Sequence, residues 1–564
     1  MNPADLSLPA KFTEFRELQL DTALAMSASE KRFQILSAPT GAGKSIIYMT
    51  AAQLLQARTV VVTSNKGLQE QLMRDFGAVG LVDIRGQGNY PCVALTAKSK
   101  SKTFHGCDDG PCHHGAFCEL HPRYAVDGRY RPGCHFYDAL ARARKSRLVI
   151  TNNDFWMSAN RYMDPGVLGP FDLLIVDEAH DAPEKLADFC TVRMSEDECR
   201  EFLDSPLPPV EDGPEAWVAW VDAQRTKLAD LEEELKFGGE QEPGYAKQLR
   251  NFIGRVRFLG TAKNWERAEA TDPAVQLPGV IPDWVGERTG DMAVFSPIWA
   301  HRYAERFLYV GVPRVFMVSA TIMRQTAAYA GIPDDRMAFN ENVNAFPILR
   351  RPVYFMPTAS IGRNSTESDY RAVTIRIDQI LGRRRDRKGI ILCPSFDLSY
   401  RLRMASQYRN SMRFNKRGDN IEHEVNKFKA SSPGTTFISP SIAQGYDFPY
   451  ADAEFVIIPK VPFADTRSLV MQARVRSDKQ YQNYVAALKL VQQCGRAMRA
   501  KDDQCEIFIL DTNFGWFLRA AKAMLPAWFR KAIVTTGMNP EPPVALERAF
   551  SRDHPPLPWL GRAY

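Results

Sequence analysis

A chain of 564 residues has room for about three or four domains and more than one core. Its 72 Lys and Arg exceed its 66 Asp and Glu by 6, a weak basic excess that permits a nucleic-acid partner without requiring one. No run of about 18 apolar residues occurs, and Met1-Asn-Pro-Ala-Asp-Leu6 lacks a basic patch leading into an apolar stretch. The expectation is a soluble, cytoplasmic protein with no membrane partner.

In chain order, Phe33-Gln-Ile-Leu36 reads as a strand and Ile46 to Leu55 as a helix, with a glycine-rich turn between them. Thr59-Val-Val-Val-Thr63, Arg147-Leu-Val-Ile-Thr151, Phe171-Asp-Leu-Leu-Ile-Val-Asp177 and Val315-Phe-Met-Val-Ser319 are further strand candidates, alternating with helical segments as in a parallel α/β sheet. A second set follows at Gly389–Cys393, Thr435–Ile438, Phe455–Ile458 and Cys505–Leu510. The predicted fold class is therefore α/β, with two parallel-sheet domains.

Two insertions interrupt the first set. Cys92, Cys107, Cys112, Cys118 and Cys134 fall within 43 residues of weak helix and strand signal. Such a segment buries too little apolar surface to hold itself, so a metal centre is the expected staple. Four thiolates suit either tetrahedral zinc or an iron-sulfur cluster, and spacing does not separate the two. His105, His113, His114, His121 and His135 keep zinc open. The bunching argues for a reducing compartment rather than a secreted disulfide framework. From about residue 190 to 285 the character turns helical. Leu228, Leu231 and Leu235 share one face, and Trp217 and Trp220 read as core. The run Arg383-Arg-Arg-Asp-Arg-Lys388 reads as a solvated face, and the Pro- and Arg-rich end after about residue 540 as an irregular tail.

The glycine-rich turn Ala38-Pro-Thr40-Gly41-Ala42-Gly43-Lys44-Ser45 carries a phosphate-binding pattern. Its backbone N–H groups approach phosphate oxygens, and the following helix points its positive end at the same charge. Lys44 is expected to reach the outer phosphates of ATP and Ser45 to hold Mg²⁺. Asp177-Glu178-Ala-His180 closes a strand of the buried, parallel type, so its carboxylates sit where such sheets bind ligands. Asp177 is the natural Mg²⁺ partner, and Glu178 the group that orients and deprotonates an attacking water.

With these elements in place the chain resembles the superfamily-two iron-sulfur helicases, the group containing XPD and DinG. The resemblance rests on motifs between about residues 12 and 512, in the family's order. Phe15-Arg-Glu-Leu-Gln19 resembles the element whose glutamine reads adenine. Thr63-Ser-Asn-Lys-Gly-Leu-Gln69 is similar to motif Ia, and Ser319-Ala-Thr321 to the motif coupling the ATP site to the DNA track. Ser439-Pro-Ser-Ile-Ala-Gln-Gly445-Tyr-Asp447 looks like motif V, with Gln444 where many relatives carry an acidic residue. Gln492-Gln-Cys-Gly-Arg496-Ala-Met-Arg499 matches the signature whose arginines stabilise charge on the γ-phosphate in the transition state.

The resemblance implies two RecA-like motor domains with an inserted iron-sulfur domain and a helical, arch-like insertion. On this reading residues 1–90, 135–189 and 286–335 form the first motor domain, 91–134 the cluster domain and 190–285 the arch. Residues 336–540 form the second motor domain and 541–564 the tail. It also implies a 4Fe-4S cluster on Cys92, Cys112, Cys118 and Cys134, with Cys107 spare or displacing Cys112. The implied activity is ATP-driven, 5′ to 3′ movement on single-stranded DNA that unwinds forked duplexes in replication or repair. The expected species is a monomer, with replication or repair proteins as further partners. The alternative is a nucleic-acid-stimulated ATPase that remodels protein–DNA or RNA complexes without processive unwinding. Lys66, Arg74, Tyr124, Arg129 and Arg131 are candidates to line the strand channel but are individually read as ordinary surface residues.

Overall fold

The computed structural model describes residues 1–39, 41–64, 66–96, 105–114, 117–122, 132–161, 167–237, 243–265, 284–341, 347–443, 445–497 and 503–541. The readings placed on Thr40, Tyr124, Arg129, Arg131, Gln444, Arg499 and the tail from residue 542 lie outside the described residues. The chain divides into two compact units. Unit 1 comprises Met1–Ala345 and Phe463–Leu488; unit 2 comprises Phe346–Pro462 and Lys489–Tyr564.

Among the described residues unit 1 holds β1 (Phe33–Ser37), β2 (Thr59–Thr63), β3 (Leu81–Asp83), β4 (Leu148–Asn152), β5 (Leu173–Asp177), β6 (Val192–Ser195), β7 (Trp284–Thr289), β8 (Met292–Pro297), β9 (Arg314–Ser319) and β10 (Met337–Glu341). Seven of them form a parallel sheet in the order β10-β1-β9-β5-β2-β4-β3. Successive side chains leave a strand on opposite faces, so each strand feeds two cores. Ile35, Val60, Val62, Leu174 and Val176 enter one, and Leu36, Val61, Leu173 and Ile175 the other. That double burial is why these strands read as unbroken apolar runs.

The remaining strands of unit 1 form an antiparallel sheet in the order β6-β8-β7. It packs with the helices Gly213–Ala223, Arg225–Phe237 and Pro243–Trp265. Trp217 is buried with its ring 4.1 Å from that of Phe295, and its indole N–H donates to the Pro209 carbonyl, so it is core as the composition suggested. Leu228 and Leu231 are buried and Leu235 is partly so, in line with their shared helical face. Lys247, on the Pro243–Trp265 helix, ties this insertion to the cysteine segment through Asp108 at 2.6 Å and Asp109 at 3.2 Å. No helix among the described residues is long and apolar enough to cross a membrane.

Unit 2 is a second seven-stranded parallel sheet among the described residues. Its strands are β11 (Val353–Ala359), β12 (Gly389–Leu392), β13 (Met412–Phe414), β14 (Thr436–Ser439), β15 (Phe455–Ile458), β16 (Glu506–Asp511) and β17 (Ile533–Thr535), in the order β13-β14-β12-β15-β16-β11-β17. Both sheets are RecA-like. The arginine-rich run before β12 departs from its expected solvated state. Arg384 is fully buried, with its guanidinium forked onto Glu506 at 2.8 and 2.6 Å, and Arg387 and Lys388 are also buried. The run feeds a central strand, so Arg384 and Arg387 reach Glu506, the first residue of nearby β16, while Arg383, Arg385 and Asp386 stay exposed as expected. A planar guanidinium and a carboxylate satisfy each other in two parallel hydrogen bonds, which makes that burial tolerable.

Candidate nucleotide site and cysteine module

Strand order builds the site in unit 1. β9 lies between β1 and β5, with Ser37 paired to Ser319 and Asp177 to Val318. The glycine-rich turn, the Ser-Ala-Thr motif and the acidic turn therefore leave the same edge of the sheet side by side. This is the carboxyl end of the strands, where open α/β sheets bind ligands. The turn is tied to its neighbour by the Ala38 amide, which donates to the Ser319 carbonyl at 3.1 Å.

Within the turn Gly41 and Gly43 have φ of 84° and 78°, the left-handed region that costs a side chain dearly. A Cβ on Gly43 would also fall 2.3 Å from the Gln19 amide nitrogen. Gly43 precedes the helix Lys44–Leu54, and its carbonyl accepts from the Ile46 amide. Buried Gln19 donates from Nε2 to the Ala42 carbonyl at 2.8 Å and accepts from the Arg16 amide at 2.8 Å. Arg16 donates to the Gly41 carbonyl at 3.0 Å. Gln19 thus braces the phosphate turn through Nε2, while Oε1 anchors it to the Arg16 backbone.

Lys44 Nζ lies 3.8 Å from Glu178 Oε1. Asp177 is buried, and burial first, then the neighbouring Glu178 carboxylate, push its carboxyl up to about 6. The Tyr48 hydroxyl donates to Asp177 Oδ2 at 3.2 Å and is also hydrogen-bonded to Ser45. A fully buried phenol therefore bridges the two residues read as Mg²⁺ partners. The sequence reading missed Tyr48.

Glu178 adopts φ 53°, ψ 42°, so the acidic turn holds a non-glycine residue in the left-handed region. Such strain persists where the surroundings over-determine it. Here Ser319 Oγ donates to Glu178 Oε2 at 3.3 Å and accepts from the Thr321 amide at 3.2 Å. His180 Nδ1 lies 2.6 Å from Ser319 Oγ and 3.2 Å from Glu178 Oε2, and Nε2 lies 3.0 Å from Asp181. Burial disfavours the His180 charge, but the hydrogen bonds to Asp181 and Glu178 together outweigh it and push the imidazole up to about 9. A raised histidine contributes stability that is fully present below its ordinary 6.5 and lost as pH rises through 9. The melting-temperature gap between wild type and His180→Gln should therefore be widest at the acid end of that window and shrink towards its top. A gap independent of pH would contradict the charged network.

In unit 2 Arg496 is folded onto the motif V loop. It donates to the Ala443 carbonyl at 3.1 Å and the Tyr446 carbonyl at 3.3 Å, and Nη1 lies 3.6 Å from Asp447. Gly445 supplies the left-handed turn between these carbonyls with φ 82°. Gln492 sits in the last turn of the helix Tyr481–Cys494 and is half-buried; its carbonyl accepts from the Gly495 amide.

The cysteine segment is pinned at its start by an antiparallel bridge. Cys92 donates its amide to the His105 carbonyl and Cys107 donates to the Tyr90 carbonyl, both at 2.8 Å, on either side of Pro91 and Gly106. This places Cys107 beside Cys92, a pairing across 15 positions that spacing did not reveal. Cys107 is hydrogen-bonded to Cys134, which pulls the Cys134 thiol down to about 6 and raises that of Cys107. Burial pushes Cys112 up to about 12, followed by the charges of Cys118, Cys134 and Cys92. Cys92 therefore lies within electrostatic reach of the other four thiols, a donor set whose chemistry suits a thiolate-bound centre. Among the described residues, however, no group of three or more His, Cys, Asp or Glu is arranged to hold a metal ion. Of the candidate histidines, His135 is exposed and His121 packs edge-on against Tyr137. The other five cysteines, 190, 199, 393, 494 and 505, are buried, as their scatter suggested.

Comparison with known proteins agrees with this arrangement. Residues 381–532 match the helicase C-terminal domain family, and residues 12–202 match the type III restriction enzyme res subunit family. The ATP-dependent DNA helicase YoaA of Haemophilus influenzae is 22% identical, over 30% of this chain and 33% of that protein. The chain thus spans about a third of the length of this relative. A solved XPD helicase is 12% identical and covers 93% of this chain and 100% of its own, with a TM-score of 0.60. The structure of S. tokodaii Xpd4 is also 12% identical, covering 92% and 100%, with a TM-score of 0.53. These likenesses establish the fold. On that fold the phosphate turn and the acidic turn lie in the first matched segment, and motif V and the arginine signature in the second.

Proposed function

We propose that the chain is an ATP-dependent DNA helicase that moves 5′ to 3′ on single-stranded DNA and separates forked duplexes in replication or repair. The observation that carries this reading is the convergence of Lys44, Asp177, Glu178 and Ser319 at adjacent strand ends. The polarity and the DNA substrate are supported by resemblance to the family, and the relative YoaA bears the name of a DNA helicase.

In the proposed reaction the backbone of Gly41, Ala42 and Gly43, with Thr40, cradles the phosphates, while Lys44 neutralises the outermost ones and Gln19 serves the adenine end. Ser45 and Asp177 would hold Mg²⁺, which when bound offsets charge on the phosphate oxygens. Glu178 takes the proton of the attacking water. Its carboxylate is held by Ser319 and His180, so it is aimed before substrate arrives. Gln492, Arg496 and Arg499 act on the γ-phosphate, and Gly445 and Asp447 of motif V serve the nucleotide site. Each base-pair step opened costs about 1.4 kcal/mol of stacking, so strand separation needs repeated turnover.

For the cysteine module the proposal is a 4Fe-4S cluster on Cys92, Cys112, Cys118 and Cys134, whose role is to staple a segment that lacks its own core. Cys107 supports Cys134 through its hydrogen bond. Cys134→Ser should lose visible absorption and iron together in anaerobic preparations, and Cys107→Ser should keep both. Colourless wild-type protein containing zinc and no iron would overturn the cluster.

A strand-displacement assay with 5′-tailed and 3′-tailed duplexes tests activity and direction together. The 5′-tailed substrate should be unwound, and Lys44→Ala should unwind neither. ATPase stimulation by single strands without displacement would instead favour a remodelling enzyme.

A further inference from the structure

Tyr48 occupies a place in unit 1 that an apolar side chain would fill as well. It is fully buried on the helix Lys44–Leu54, in one core cluster with Ile47, Ala51, Ile175, Phe316 and Val318. Ile47 and Ala51 belong to the same helix, Ile175 to β5, and Phe316 and Val318 to β9. The ring is therefore held between the helix that follows the phosphate turn and the strands that end in the acidic turn and the Ser-Ala-Thr motif.

A phenol buried in such surroundings needs partners for its oxygen. Both partners here are residues read as cation ligands. Tyr48 donates to Asp177 Oδ2 at 3.2 Å, and it is hydrogen-bonded to Ser45, three residues earlier on the same helical face. The polarity of the two bonds follows from the protons. Tyrosine has one hydroxyl proton and an ionised carboxylate can only accept, so that proton goes to Asp177 and Ser45 is the donor to the Tyr48 oxygen. A serine hydroxyl otherwise turns freely. With its proton committed to Tyr48, its lone pairs remain for a cation. The Asp177 carboxylate is fixed at its other oxygen too, since Oδ1 accepts from the Glu178 amide at 2.9 Å. Each of its oxygens keeps a further acceptor site.

We propose that Tyr48 is a positioning residue for the divalent cation of the nucleotide site. It gives its own proton to Asp177 and takes that of Ser45, so that both residues present lone pairs, and no proton, to Mg²⁺. Phenylalanine in its place would keep the packing, but it would leave the Ser45 proton free to turn towards the metal and Asp177 one donor short. Groups that orient metal ligands in this way are worth about 10- to 100-fold in metal affinity or activity.

Because this role rests on the proposed nucleotide site, its test reads binding as well as turnover. Full-length Tyr48→Phe is compared with wild type at about pH 8, where carboxylates are ionised. Should it not fold, Tyr48→Met replaces it in every arm, since methionine adapts to the same space without a hydroxyl. In EDTA a fluorescent ADP analogue should bind variant and wild type equally. With the analogue bound, Mn²⁺ affinity read by electron paramagnetic resonance should be about 10- to 100-fold weaker in the variant. The Mg²⁺ concentration for half-maximal single-strand-stimulated turnover should rise by a like factor. In a Ser45→Ala background the same substitution should cost less, because one of its two partners is already gone. Wild-type Mn²⁺ affinity in the variant, a matching loss of analogue binding in EDTA, or an undiminished cost in the Ser45→Ala background overturns the proposal. A wild-type chain whose nucleotide-bound form takes up no divalent cation overturns the reading of Ser45 and Asp177 itself, and the role of Tyr48 with it.

Discussion

Glu178→Gln should lower single-strand-stimulated ATP turnover by about 10² to 10⁴, the contribution of a positioned general base. Glutamine has the same shape and retains an oxygen to accept from Ser319, so the left-handed acidic turn should persist. Nucleotide binding should be nearly unchanged, because Lys44 and the glycine turn supply it and the charge of Glu178 works against the phosphates. The measurements are steady-state ATPase with saturating single strands and titration of a fluorescent nucleotide. A Glu178→Gln enzyme with wild-type turnover would remove Glu178 from the chemistry and leave the His180 and Ser319 contacts as purely structural.

Arg496→Ala is the second large effect. An arginine that meets the transferring phosphoryl group contributes about 10³ to 10⁵ in turnover, so kcat should drop by at least about 10³ while KM for ATP changes little. Lysine should rescue poorly, since it cannot reproduce the planar fork. The structure makes the outcome informative in both directions. Arg496 is held by the carbonyls of Ala443 and Tyr446 and lies close to Asp447. If Arg496→Ala costs less than about tenfold, the guanidinium is a staple for the Gly445 loop and not a finger.

The two experiments probe residues that the sequence exposed to different degrees. Asp177 and Glu178 were legible because a buried parallel strand has a distinctive composition and ends at the ligand-binding edge. Lys44 was legible because only a glycine-rich turn before a helix gives phosphates such close access to backbone N–H groups. The constraint is local in each case, so it is written locally. Tyr48 was passed over because its function arises from a long-range contact with Asp177. His180 lay inside the acidic motif, where Asp181 and Glu178 raise it against burial, yet its contact with Ser319 is one that only packing supplies. Arg384 shows the converse: a charged run suggests solvent until a partner such as Glu506, more than a hundred residues away, is brought beside it.

The strands β3, β10, β11, β13 and β17 and the antiparallel β6-β8-β7 sheet escaped the reading because polar residues, Gly or Pro break or end their short apolar stretches, unlike the unbroken runs of the central strands. The cysteine segment was visible as a cluster, but the bridge that sets Cys107 beside Cys92 was not. Composition and periodicity by themselves determined the α/β class, the two parallel sheets and the positions of the phosphate and acidic turns, because each depends on neighbours within one strand, turn or helix. Tertiary structure alone decided the strand order that lines up Ser37, Ser319 and Asp177, the contact of His180 with Ser319, and the return of residues 463–488 to unit 1. Those features depend on groups far apart in the chain, and the physics that joins them, burial and hydrogen bonding across elements, acts only once the chain has folded.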